Sequence, residues 1–158
     1  MKTISFKALV AMLGVFALLL TTSCNKDDDA TPDKAKLLTN GSWKMSAMTV
    51  DPPIDWFGIP VTDVFAKLPT CVTDDFAVFK TNGTVIYDEG ASKCEPADPQ
   101  TSNGTWSLNT AQTILTLTND GETENWTIAT LTTTTFKADF KVTEEGVTYT
   151  FSVTFVKK

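Results

Sequence analysis

In the stretch Val147 to Val156, V-T-Y-T-F-S-V-T-F-V, largely apolar side chains alternate with Thr and Ser side chains as far as Phe155. Successive side chains of a β-strand point to opposite faces, so this pattern predicts a strand with one buried and one solvated face. The predicted buried face carries Tyr149, Phe151, Val153 and Phe155. This segment therefore indicates a half-buried antiparallel sheet.

The residues before this strand repeat its pattern. From Phe136 to Val142 apolar residues alternate with Lys and Asp, and Glu144-Glu145-Gly146 supplies a turn between the two runs. Two further turns, at Asn82-Gly83 and at Asn119-Asp120-Gly121, separate other alternating runs, because Asn, Asp and Gly accept the positive φ of tight hairpins. The 28 Thr residues add to the preference for strands.

Eight strands are predicted, and almost all of their connections are short, so neighbours along the chain should pair antiparallel. An all-β, up-and-down, eight-stranded barrel leaves no unpaired edge and is favoured over a two-sheet sandwich. The predicted strands are 42–50, 74–81, 84–88, 104–108, 113–118, 122–130, 134–143 and 147–156.

The long connection is the first crossover, residues 51–73. It carries an apolar group that includes Ile54 and Ile59, and its second half predicts a short helix over 62–68. Thr62 would cap the start of that helix and Pro69 would follow its end.

Composition excludes several kinds of chemistry. The 158 residues carry a formal charge of −6, all 13 basic residues are Lys, and His is absent. Without His or Arg the chain cannot assemble a Ser-His or Cys-His pair, an imidazole metal site or a bidentate Arg clamp. A net-acidic chain also predicts no nucleic-acid partner.

Adjacent carboxylates occur at Asp74-Asp75, Asp88-Glu89 and Glu144-Glu145. Each pair lies at a predicted strand end or turn, where acidic side chains are ordinarily solvated, and no loop has the ligand spacing of a known calcium motif. Neighbouring residues of a strand also point to opposite faces, so they do not converge as an acid and base pair would. We therefore expect no enzyme activity, no cofactor and no metal site.

The N-terminal region predicts export. Residues 1–23 combine a basic start, an apolar run of about 13 residues and a small polar end, as in a signal peptide. The apolar run is shorter than the roughly 20 residues that span a membrane, which disfavours the alternative of an N-terminal transmembrane anchor. The sequence L-T-T-S-C, ending at Cys24, resembles the lipobox of bacterial lipoproteins, which implies that Cys24 is lipidated.

Residues 24–35 lack apolar periodicity and predict a flexible acidic tether ahead of a folded domain at 36–158. The cluster C-N-K-D-D-D after the lipobox is similar to the export signal of Bacteroidetes surface lipoproteins. This similarity implies attachment to the outer face of the outer membrane, with attachment facing the periplasm as the alternative.

Two cysteines remain once Cys24 is assigned to the lipid. In an exported protein Cys71 and Cys94 are then expected to form a disulfide. A redox or metal-binding role is the alternative, which the absence of a C-x-x-C motif and of His disfavours.

Gly41-Ser42-Trp43 resembles the G-x-W signature of lipocalins. Together with Cys71, Asn82-Gly83-Thr84, Cys94 and Gly104-Thr105-Trp106-Ser107-Leu108 it is similar to the lipocalin-like domains of Bacteroidetes surface lipoproteins, over about residues 36–156. In lipocalins a basic residue, usually Arg, packs over the first-strand Trp. Here the resemblance implies that Lys157 or Lys158 takes that place.

The resemblance implies a non-catalytic barrel that binds a small hydrophobic or amphipathic molecule or a glycan. The alternative is a filled barrel that binds another protein, as a protease inhibitor or as an accessory subunit of a surface uptake complex. Core packing is an alternative role for the strand tryptophans, and packing across the barrel end for the crossover aromatics. The candidate ligand-binding residues are Trp43, Trp56, Phe57, Phe79, Trp106, Phe140 and Phe151.

Overall fold

Nine strands and three short helical segments make up residues 33–158, the part of the chain that the computed structural model describes. The predicted signal peptide, Cys24 and most of the predicted tether lie outside the described residues. The helices are α1 (Lys34–Thr39), a 3₁₀ turn (Phe65–Lys67) and α2 (Thr70–Thr73). The strands are β1 (Ser42–Trp56), β2 (Ile59–Asp63), β3 (Phe76–Phe79), β4 (Thr84–Asp88), β5 (Thr101–Leu108), β6 (Ile114–Asn119), β7 (Glu122–Leu131), β8 (Thr135–Glu144) and β9 (Val147–Lys157).

Eight of these strands close into an antiparallel barrel. Consecutive strands from β3 to β9 pair as neighbours, while β1 pairs with β3 on one edge and with β9 on the other. The closing ladder runs from Trp43 opposite Lys157 to Asp51 opposite Thr150. The predicted up-and-down barrel is therefore confirmed, and the sandwich alternative is wrong.

The first crossover differs from its prediction. β1 continues past residue 50 to Trp56, and β2 turns back along it with Trp56 opposite Ile59. The helix predicted over 62–68 is wrong, since Thr62 belongs to β2 and only the 3₁₀ turn Phe65–Lys67 is helical there. The register of β1 against β2 shifts between Thr49 and Ile54. Pro52 and Pro53 lie inside that irregularity, where their missing N–H groups cost no ladder hydrogen bond.

Side chains from alternating strand positions line the barrel interior, as the sequence predicts. In the β8–β9 hairpin, Phe136 lies opposite Phe155 and Phe140 opposite Phe151. The buried core side chains are Leu38, Trp43, Phe79, Val85, Leu115, Leu117, Ile128, Phe136, Ala138 and Val153.

One end of the barrel is closed by α1. Leu38 is fully buried there, and its carbonyl accepts a 2.9 Å hydrogen bond from the indole of Trp43. The helix is tied to the barrel by the backbone N–H of Lys34, which donates to the side chain of Gln112 at 2.7 Å. It begins two residues before the predicted domain start at 36, inside the last residues of the predicted tether. None of the helices within residues 33–158 is long and apolar enough to cross a membrane.

Lys157 completes this closed end. Its Nζ lies 4.4 Å from the centre of the Trp43 ring, which is the contact that the lipocalin resemblance implies for Lys157 or Lys158. Gly41, with φ of +101°, makes room for it, because a Cβ at that position would lie 2.7 Å from Cε of Lys157. Lys158 lies instead over the ring of Phe76.

Cys71 and Cys94 form a disulfide, as predicted. The bond joins α2 to the loop between β4 and β5. The Asp74 carboxylate supports the same connection by accepting hydrogen bonds from Ala91 N–H at 2.9 Å and from Ser92 N–H and Oγ at 3.0 Å. The bridge and these hydrogen bonds together hold α2 beside the start of β3.

Candidate ligand-binding cavity

A cavity of about 230 Å³ lies inside the barrel. This is below the range of roughly 300–1,000 Å³ that is usual for drug-sized ligands, so the space suits a smaller molecule. Most of its wall is aromatic or aliphatic. The lining residues are Trp43, Met45, Val72, Asp75, Phe76, Ala77, Phe79, Tyr87, Asp88, Glu89, Leu117, Trp126, Phe136 and Phe155.

The floor of the cavity is built by the closed end of the barrel. Trp43 is fully buried and meets Phe136 edge to face, with ring centroids 6.0 Å apart. Phe79 and Leu117 are also buried and close the wall beside them. A rigid apolar floor of this kind can exclude water from a bound hydrocarbon group and so stabilise it by the hydrophobic effect.

Stacked aromatic rings continue from the cavity wall along β7, β8 and β9. Trp126 stacks on Phe155 at 6.0 Å and on Phe140 at 5.0 Å, and Phe140 stacks on Phe151 at 5.1 Å. We call Trp126, Phe140, Phe151 and Phe155 the aromatic ladder. Trp126 and Phe155 line the cavity, whereas Phe140 and Phe151 extend the ladder beyond it.

The mouth of the cavity carries all of its charged lining residues. Asp75 stands just before β3, Asp88 ends β4 and Glu89 follows it, and we call these three the carboxylate rim. They meet because β3 and β4 form the hairpin with Asn82-Gly83 at its turn, which puts Phe76 opposite Asp88. Among residues 33–158, no group of three or more His, Cys, Asp or Glu has the geometry to hold a metal ion.

The surroundings of Asp75 in the rim disfavour its charged form. Burial, together with the nearby charges of Glu89, Asp74 and Asp88, raises the pKa of Asp75 to about 6. Its Oδ1 is shielded from solvent and receives no hydrogen bond from the described residues. Asp88 differs, because its Oδ1 accepts hydrogen bonds from Gly90 N–H at 3.0 Å and from Gln100 at 2.9 Å.

Two further titratable groups lie near the cavity wall. Burial and the charge of Glu124 raise the pKa of Tyr87, so its phenol keeps its proton at neutral pH. Glu124 itself accepts a 2.8 Å hydrogen bond from the indole of Trp126.

The structure places the seven predicted ligand residues in three different settings. Trp43 and Phe79 line the cavity. Trp106 does not; it packs edge to face on Phe79 at 5.5 Å, and its indole donates to the Lys80 carbonyl at 3.0 Å.

The remaining four predicted residues lie outside the cavity. Phe140 and Phe151 belong to the outer part of the aromatic ladder. Trp56 and Phe57 occupy the tip of the β1–β2 hairpin with 37% and 94% of their surfaces exposed.

Sequence reasoning missed the carboxylate rim. The adjacent acids are expected to be solvated, but Asp75 is only partly exposed and its Oδ1 is shielded from solvent. Asp74 does point the other way, into the β4–β5 loop. The available signal was the Asn82-Gly83 turn, because the register that it sets brings residues 75 and 88 to the same end of one hairpin.

Solved structures of bovine odorant-binding protein resemble the chain. A deswapped triple mutant is 14% identical with a TM-score of 0.42, covering 75% of this chain and 72% of that chain. The complex with a selenium-containing odorant is 14% identical, with a TM-score of 0.41 and coverage of 77% and 72%. The complex with its natural ligand is 15% identical, with a TM-score of 0.41 and coverage of 77% and 73%. No curated protein matches the sequence significantly.

A family model gives the assignment. The model of the lipocalin-like domain matches residues 39–138, well over half of the chain. The match begins before Gly41-Ser42-Trp43 and ends within β8. The chain therefore belongs to the lipocalin-like domain family.

Proposed function

We propose that this protein is a non-catalytic binding protein whose barrel holds a small apolar or amphipathic molecule, and that a lipid on Cys24 anchors it to the outer face of a bacterial outer membrane. The observation that carries the proposal is the cavity of about 230 Å³ with its largely aromatic and aliphatic wall. Concave apolar sites with a few convergent polar groups are typical of small-molecule binding.

The wall composition favours an apolar ligand over a glycan. A sugar needs several hydrogen-bonding partners, whereas the floor is formed by Trp43, Phe79 and Phe136. The polar lining is concentrated at Tyr87 and the carboxylate rim. A ligand with a hydrocarbon body fits this distribution, because its apolar part can be buried without leaving polar groups unpaired.

The chain enters the barrel at its closed end, whereas the carboxylate rim lies at the mouth. The first described residues, Asp33 and Lys34, lie at the closed end of the barrel, where Lys34 contacts Gln112. The carboxylate rim lies at the ends of β3 and β4 that point the other way. A lipid at Cys24 would join the closed end through nine residues, 24–32, which span at most roughly 30 Å. The anchor would then attach at the closed end and leave the mouth accessible.

Binding to the purified chain tests the proposal. A chain that starts at Asn25 keeps the closed barrel, its core and every contact described here, and near-ultraviolet circular dichroism checks its fold. Octan-1-ol titrated into this chain is expected to change the tryptophan fluorescence in a saturable manner. Mass spectrometry of lipid extracts retained by the protein then identifies natural ligands.

Two matched substitutions locate the binding. Ala77 lines the cavity, whereas Ala129 is an exposed strand residue. Ala77→Leu is expected to weaken octan-1-ol binding at least ten-fold by filling the cavity, and Ala129→Leu is expected to leave it unchanged. Saturable binding that is equal in both variants, or no binding to the unmodified chain, would contradict the proposal.

A second function, binding to another protein, is favoured by the β1–β2 hairpin. Its tip exposes Trp56, Phe57 at 94% and Ile59 at 61%, and exposed neighbouring aromatics often mark contact surfaces. A partner captured from detergent-solubilised membranes should be lost with Phe57→Ser and kept with Ala77→Leu. The reverse result would assign the partner to the cavity side instead.

A further inference from the structure

We propose that the cavity selects ligands with an apolar body and a cationic amine head, the amine being held at the carboxylate rim. This inference rests on the proposed function and specifies the class of ligand. It is drawn from two independent features, the apolar cavity and the unsatisfied carboxylate at its mouth.

The first step is the charge balance of the lining. All charged residues of the cavity wall are acidic: Asp75, Asp88 and Glu89. Within residues 33–158 the single ion pair joins Lys36 to Asp33, at the opposite end of the barrel. Lys158, whose Nζ lies over the Phe76 ring, forms no ion pair with the rim in the described structure. Asp75 thus lies near the negative charges of Glu89 and Asp88 without a described counter-ion.

The second step is the unmet hydrogen-bonding need of Asp75. Its Oδ1 is shielded from solvent and lacks a partner among the described residues. A buried acceptor without a donor is unfavourable, and a primary ammonium group offers three N–H donors and a positive charge. A ligand amine at this point would satisfy the oxygen and offset the repulsion from Glu89 and Asp88.

The third step is the relation between the rim and the apolar floor. The rim lies at the mouth of the cavity, and Trp43 and Phe136 line its floor. An amphipathic amine could therefore place its hydrocarbon chain on the floor and its head at the rim. A fatty acid in this orientation would bring a fourth negative charge to the three carboxylates, so the cavity discriminates by the sign of the head group.

Three probes of equal chain length test this selectivity: octylamine, octan-1-ol and octanoate. At pH 8 octylamine is expected to bind the Asn25–Lys158 chain at least ten-fold more tightly than octanoate, with octan-1-ol between them. Equal binding of octylamine and octanoate would overturn the inference while leaving the proposed function intact. Failure of all three probes to bind would contradict the proposed function itself.

Matched variants assign the selectivity to the rim. Asp75→Asn is expected to reduce the preference for octylamine over octan-1-ol to less than about two-fold. Asp120→Asn, in the exposed β6–β7 turn, is the control and is expected to keep the full preference. Full preference in Asp75→Asn would overturn the assignment. If Asp75→Asn loses its fold, Glu89→Gln replaces it, and a fall in the preference of at least three-fold is expected.

The pH dependence supplies a measurement on the unmodified protein. The groups around Asp75 are Asp74, Asp88 and Glu89, and the nearby wall adds Tyr87, which stays protonated. Octylamine remains cationic from pH 5 to pH 8, as a lysine amine does. Its affinity should therefore fall at least three-fold from pH 8 to pH 5 as Asp75 takes up a proton, while octan-1-ol affinity stays constant. An octylamine affinity that is equal at both pH values would contradict the inference.

Discussion

The charged side chains at the closed end and at the mouth of the barrel lie in different surroundings. At the closed end Nζ of Lys157 lies over the face of Trp43, whose indole N–H donates to the Leu38 carbonyl. At the mouth three carboxylates converge, and the buried oxygen of Asp75 has no described partner. Neither Lys157 Nζ nor Asp75 Oδ1 has a hydrogen-bond partner among the described residues, but the Lys157 cation is held over the Trp43 ring within the protein. The carboxylates at the mouth form no ion pair with a described residue, which is the behaviour expected of a site that binds a positively charged group.

Trp43→Ala should have the largest effect, because it removes the floor from the closed end. Deleting a fully buried Trp costs about 3–5 kcal/mol of unfolding free energy, through lost apolar burial and the cavity left behind. Urea denaturation followed by far-ultraviolet circular dichroism measures it. Phe57→Ala, at the exposed hairpin tip, is the control and should change stability by less than about 0.5 kcal/mol. Similar losses in the two variants would show that the closed end is not the stabilising region.

Breaking the disulfide should have the next largest effect and acts on the mouth. Replacing Cys71 and Cys94 together by Ser is expected to lower the unfolding free energy by about 2–4 kcal/mol, because the unfolded chain loses a constraint. It should also weaken octan-1-ol binding, since Val72 and Asp75 would no longer be held at the cavity. Calorimetry and fluorescence titration measure the two quantities. Unchanged binding would mean that α2 is positioned without the bridge.

Gly41→Ala separates two causes of strain at the closed end. Gly41 and Gly146 both have positive φ, but only Gly41 has a neighbour, Lys157, where a Cβ would lie. Gly146→Ala should cost about 1 kcal/mol for the backbone conformation alone. Gly41→Ala should cost about 0.5–1 kcal/mol more, because Lys157 must leave its place over Trp43. Equal losses of unfolding free energy in urea would argue against a structural role for that contact.

Asp75→Asn should have the smallest effect on stability, with a sign set by pH. The folded pKa of about 6 lies above the value of 3.8 for an unperturbed Asp, so the contribution of Asp75 is most favourable below pH 4 and is lost as pH rises through 6. Asp75→Asn should therefore gain about 1 kcal/mol relative to the unmodified protein between pH 4.5 and pH 7.5, allowing for solvent screening at the rim.

Parallel denaturation curves at the two pH values check this prediction. Asp120→Asn serves as the control and should show no such gain. A gain that is absent in Asp75→Asn, or equal in both variants, would mean that Asp75 is not held in an unfavourable charged state.

The barrel could be predicted from the sequence because its determinants are local. Positive φ values at Gly83, Gly121 and Gly146 occur in the three turns where Asn, Asp, Glu and Gly suggested them. Alternation then set which face of each strand is buried. β2 was missed because Pro52 and Pro53 obscure the pattern, although Ile59 and Val61 do alternate with polar or Pro residues there.

The cavity depended on information that is not local. Whether Phe79 and Phe151 meet or leave space follows from the angles between strands and the rotamers of rings that are far apart in sequence. Alternation places Trp106 in a strand, and the structure agrees. Its ring contacts Phe79, however, and does not line the cavity. The place of Asp75 before a strand predicts a solvated side chain, but the folded chain shields its Oδ1.

The four tryptophans allow the most direct test of ligand binding in the cavity. Trp43 and Trp126 line it, while Trp56 and Trp106 do not. In a ¹⁵N–¹H correlation spectrum of the Asn25–Lys158 chain, each indole N–H gives its own signal. Saturating octan-1-ol is predicted to shift the signals of Trp43 and Trp126 and to leave that of Trp56 in place. A shift confined to Trp56, or no shift at any indole, would contradict the account.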